Sequence, residues 1–108
     1  MTVEQLANKT GLTTVTAPDN TREIHGAYVG DLLSWVMGRA SSDNAWITIM
    51  SNINVIAVAT LADVGCVIFA EGVTPDEELI AAARSKGINL LASPFSSYET
   101  AVRISDFV

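Results

Sequence analysis

Between Asn44 and Gly72 the chain sets two apolar blocks apart with short polar joints. Ala45 to Met50 and Val64 to Ala70 are runs rich in β-branched residues, the pattern of strands covered on both faces. About a dozen residues separate them, which suits a crossover helix returning the second strand parallel to the first. The stretch therefore predicts a right-handed βαβ unit.

The same reading extends in both directions. Thr2 with Gln5 three residues later forms a capping box, and Gly11-Leu12 stops the first helix. Thr13 to Ala17 is β-branched and extended, and Pro18-Asp19-Asn20 marks a turn. Glu23 to Val29 alternates as a strand would, with His25 in its middle. Asp31 is placed to cap a helix that runs through Leu32, Leu33, Trp35, Val36 and Met37 and stops at Gly38. Thr74-Pro75-Asp76-Glu77 predicts a further helix, with Thr74 as cap, Pro75 first and Glu77 closing the box. Leu79, Ile80 and Ala83 face inward on it, Arg84 and Lys86 suit its negative end, and Gly87 ends it. Ile88 to Ala92 is another apolar strand, and Ser96 to Glu99 opens a last helix. Alternating strands and helices predict one open α/β domain over residues 1–108, with helices on both faces of the sheet.

Composition narrows the partners. The chain carries a net charge of −6, which repels phosphate backbones and argues against nucleic acid. Ser51, Asn52, Asn54, Asp63 and Gly65 break up the apolar centre, so it does not read as a membrane span. One cysteine permits no internal disulfide, no basic-then-apolar leader opens the chain, and the expected location is the cytoplasm.

Candidate chemistry is sparse. Carboxyl ends of strands are where such sheets collect ligands. Asp31, Ser51, Asn52, Asn54, Glu71, Gly72, Thr74 and Ser93 fall there and form the candidate ligand-binding set. Helix capping alone accounts for Asp31, Thr74 and Ser96 and is the favoured reading of them. His25 has no triad partner or metal-ligand spacing and reads as structural. Cys66 lies inside an apolar strand and reads as a buried neutral thiol. Trp35 and Trp46 read as core or interface, and Asp76, Glu77 and Glu78 as a solvated helical turn. No Gly-Lys-Ser/Thr phosphate loop follows a strand. The reading is of a protein that is not an enzyme and needs neither metal nor cofactor.

One feature asks for a partner. The helix around Ile53 to Ala62 has Ile53, Ile56, Ala57 and Leu61 on one face and Val55, Val58, Ala59 and Ala62 on the other. A helix covering a small sheet should show water a polar face. The expectation is a homodimer, with Leu32, Trp35, Val36, Val55, Val58 and Ala62 as candidate interface residues.

Gly30-Asp31-Leu32-Leu33-Ser34, Asn54 to Ala59, Glu71-Gly72, the Pro75-Asp76 helix start and Lys86-Gly87-Ile88 together resemble the stand-alone DRTGG-domain proteins. The likeness runs from about Thr2 to about Asp106. It implies a three-layer α/β/α domain with a mainly parallel sheet of four to five strands, similar to the N-terminal domain of bacterial HPr kinases. Such domains occur as accessory regulatory modules beside CBS-domain pyrophosphatases and phosphotransacetylases. Ser51-Asn52 stands where the family pattern has Asp-Arg, and Ala70-Glu71-Gly72 where it has Thr-Gly-Gly. The implied function is a non-catalytic regulatory or interaction module working through self-association or a protein partner. The alternative is a sensor binding a small metabolite or nucleotide at the strand ends.

Overall fold

A computed structural model describes all 108 residues. Five strands form one sheet in the order β1-β5-β4-β3-β2. They are β1 (Thr13–Thr16), β2 (Ala27–Val29), β3 (Ala45–Thr48), β4 (Cys66–Phe69) and β5 (Leu90–Ala92), with α1 (Val3–Thr10), α2 (Leu33–Arg39), α3 (Asn54–Ala62), α4 (Glu77–Lys86) and α5 (Ser97–Ile104) around them. β2 to β5 are parallel neighbours in chain order, and β1 joins β5 antiparallel. Three right-handed crossovers stepping the same way across a sheet put their helices on one face. The core divides accordingly. One cluster gathers Val36, Val55, Val58 and Leu79 from α2, α3 and α4 onto Trp46, Val67, Phe69 and Leu90. The other gathers Leu6 of α1 and Ile104 of α5 onto Ile47, Ile68 and Leu91. Alternate residues of β3 and β4 serve opposite clusters, and every residue of both strands is buried. The three-layer α/β/α architecture is thus the one expected.

Local signals held where a side chain and a backbone group meet within one turn. Thr2 and Gln5 make the reciprocal capping box, and the left-handed Gly11 closes α1. Ser96 caps α5 by accepting from Glu99 N–H at 3.0 Å, although the Glu99 carboxylate pairs with Arg103 and not with the cap.

Four expectations need correction. The strand at Glu23 shrinks to Ala27–Val29, because Glu23 bridges Thr2 and the exposed His25 donates its backbone N–H to Asp43. His25 is therefore not mid-strand. Asp31 is not a cap: α2 begins at Leu33 without a side-chain cap, and Gly38 lies inside it. At α4 the cap is Asp76, which accepts from Leu79 N–H at 2.9 Å, so Thr74 and Pro75 precede the helix. Finally, Val36, Val55 and Val58 are buried in the chain's own core. Periodicity shows that α3 has two apolar faces but not which one meets the sheet. The β-branched face went inward, and Ile53, Ala57 and Leu61 went outward.

Gly65 shows how closely the layers approach. A Cβ there would collide with Ile24 Cδ1 and sit 3.2 Å from the Asp43 carbonyl oxygen. A side chain there would force Ile24 and the Asp43 backbone to give way just ahead of β4.

Candidate functional site

The connection after β4 climbs to α4 on one face of the sheet, while the connection after β5 leads to α5 on the other. Adjacent strands whose connections part in this way open the crevice in which α/β sheets bind ligands. A recess of about 340 Å³ lies there, lined among others by Gly72, Thr74, Ser93 and Pro94, with Thr13 and Val15 of β1. The structure therefore brings together three of the expected ligand residues, Gly72, Thr74 and Ser93.

The others are apart from it. Asp31 accepts from Thr48 Oγ1 and Ile49 N–H, both at 2.8 Å, and so clamps the end of β3. Asn52 accepts from Asn54 N–H at 2.9 Å in a side-chain turn before α3, next to Ser51. Glu71 turns to α5 and accepts from Ser97 N–H at 2.8 Å. Within the recess, Ser93 is fully buried, shares a 2.7 Å hydrogen bond with Thr100 and accepts from Phe95 N–H. Glu71 N–H donates to Phe95 O and Gly72 N–H to Ser93 O, which ties the two loops together. Asp31, Asn52, Glu71 and Ser93 are thus each engaged inside the fold, and no buried side-chain polar atom lacks a partner.

The amino edge of the sheet holds a cluster that the sequence did not reveal. Arg22 donates from Nε to Asp43 Oδ1 at 3.0 Å and from NH2 to both the carbonyl and the carboxylate of Asp63. Ser42 donates to the other Asp63 oxygen. The Ser42 hydroxyl, then Arg22, hold the Asp63 carboxyl below its usual range. Burial works to lower the Arg22 pKa, but its bonds to Asp43 and Asp63 leave it raised. These residues lie far apart in sequence, and no local pattern links them. Cys66 is enclosed in the core, and burial pushes its thiol up to about 12. It stays protonated and unreactive near neutral pH. No three His, Cys, Asp or Glu side chains converge as a metal site, and no helix is long and apolar enough to cross a membrane.

The outside of the α2–α3–α4 layer exposes several large apolar side chains. Leu61 is 71% exposed, Leu32 57% and Trp35 51%, with Met37 and Ile53 also in water. Arg39 stacks over the Trp35 ring at 3.8 Å from its centroid and covers one side of it. Between α3 and α4 runs an apolar groove of about 470 Å³ lined by Ile53, Ile56, Ala57, Leu61 and Ala82, with Lys86 at its rim. Of the expected interface residues, Leu32 and Trp35 are exposed. Ala62 is half-buried, and the large apolar residues exposed along α3 are Ile53, at its N-cap, and Leu61, in place of Val55 and Val58.

Sheet order, layers and helix placement define a three-layer α/β/α domain. The sequence profile of the DRTGG domain matches residues 5–107, and the chain belongs to that family. The fold is similar to that in the crystal structure of the CBS and DRTGG domains of the regulatory region of Clostridium perfringens pyrophosphatase complexed with its activator, diadenosine tetraphosphate. The TM-score is 0.79 at 15% sequence identity, over 95% of this chain and 45% of that one. The chain thus spans less than half the length of that neighbour. No curated protein sequence matches it closely.

Proposed function

We propose that this chain is a non-catalytic regulatory module that works by self-association through the outer face of its α2–α3–α4 layer. The observation that carries this reading is the outer side of α3, where Ile53 and Leu61 stand in water although the helix already buries Val55, Ile56, Val58 and Ala59 against the sheet. A large apolar side chain is worth roughly 1.5–3 kcal/mol when fully buried, so several exposed together favour a cover. A standard interface takes about 800 Å² from each partner, roughly 15% of the 5316 Å² surface of this domain. One helical layer can supply it, and a two-fold pair closes the assembly without any further chain.

Sedimentation at micromolar concentration tests the reading. The wild-type chain should run at twice 11.4 kDa, and Trp35→Glu or Leu61→Glu should run as folded single chains. Val58→Glu serves as the contrast: its charge would lie inside the core, so it should lower the melting temperature steeply. A wild-type chain that sediments at 11.4 kDa at every concentration would end the proposal.

A second reading, a nucleotide or metabolite sensor, is supported by the recess at Gly72, Thr74 and Ser93 and by the activator bound in the neighbouring regulatory region.

A further inference from the structure

We infer that the second copy docks in the groove between α3 and α4 with its own α4 running antiparallel, so that Glu78 of each chain faces Lys86 of the other. This rests on the self-association proposed above and specifies its register. The groove is open and apolar, with Leu61 and Ala57 on one wall and Ala82 on the other. On that side of α4, Glu78, Ala82 and Lys86 follow one another at intervals of four residues and so form one stripe. The stripe is acidic at one end, small in the middle and basic at the other.

Neither charge is used within the chain. Glu78 and Lys86 are exposed, and neither takes part in any of the four ion pairs of the fold. Eight residues of helix span about 12 Å, too far for the two to pair with each other. The positions three and four before Lys86 are Ala83 and Ala82, so no carboxylate on its own helix lies within reach. The helix dipole explains the signs of the charges. It does not explain why Ala82 and Lys86 line an apolar groove while Glu78 continues the same stripe one turn before Ala82. Rotation about a two-fold axis through Ala82 reverses the stripe and superimposes acid on base twice. The surface is therefore complementary to itself and needs no partner of different chemistry.

A charge exchange tests this. Glu78→Lys makes the stripe wholly basic, and Lys86→Glu makes it wholly acidic. Each variant alone should dimerise at least 10-fold more weakly than wild type, because like charges meet twice in every pair. Mixed in equal amounts, the two should form a heterodimer close to wild-type affinity, since opposite stripes then face each other at both ends. High salt should shrink all these differences. A wild-type dimer whose affinity neither exchange alters, or a mixture that fails to restore it, overturns the register while leaving self-association standing. A monomeric wild-type chain overturns both, and leaves the groove to a helix of another protein. Circular dichroism of each variant separates a lost contact from a lost fold.

Discussion

Arg22 shows what single residues contribute here. Its guanidinium joins three segments, ahead of β2, β3 and β4, that share no sequence proximity. Asp43 and Asp63 are both left-handed, at φ 67° and 57°, a conformation that short polar side chains tolerate. The depressed Asp63 carboxyl carries a pH signature. A carboxyl whose folded pKa lies below its ordinary 3.8 stabilises the fold above that value, and the contribution is lost as pH falls through the folded pKa. Asp63 is largely exposed, so solvent screening holds the effect below about 1 kcal/mol. Asp63→Asn should therefore lower the urea midpoint at pH 7 and leave it near that of wild type at pH 2. An equal deficit at both values would show that the charge is irrelevant.

At the scale of elements, the loop after β4 connects the two helical layers. Glu71 sits at φ 61° where the family pattern has glycine, and it caps α5 through Ser97. Two effects oppose each other at this position. A left-handed non-glycine residue costs about 1–2 kcal/mol, while the cap and its charge at a helix N-terminus return about 1. Glu71→Ala loses the cap and retains the strain; Glu71→Gly loses the cap and releases it. Glu71→Gly should thus be the more stable of the two variants by about 1 kcal/mol in chemical denaturation. Equal stabilities would mean that backbone strain plays no part.

The whole molecule decides where a ligand could enter. Three crossovers step one way and the chain then leaves β5 on the opposite face, so the β4–β5 boundary is the one place where neighbouring connections between parallel strands part. If the sensor reading holds, diadenosine tetraphosphate should raise the melting temperature, because any ligand of the native state stabilises it by mass action. Ser93→Ala is a poor probe, since its hydroxyl is buried against Thr100. Thr74→Glu, at the exposed rim, should abolish the shift without harm to the fold, because its charge repels the phosphates. A shift that survives Thr74→Glu would move the site elsewhere.

Much of this architecture follows from the sequence alone. The buried strands Ala45–Thr48 and Cys66–Phe69, the helices between strands, the box at Thr2 and the stop at Gly87 all rest on period, propensity or contacts within one turn. Those forces act over a few residues, and a few residues display them. Other features depended on what came to lie opposite. Asp31 as a clamp for β3, the Arg22 cluster and the choice of which apolar face of α3 turns outward each pair groups distant in the chain. Hydrophobic pattern records how much surface a helix must cover. Only packing against the sheet selects the side that remains exposed.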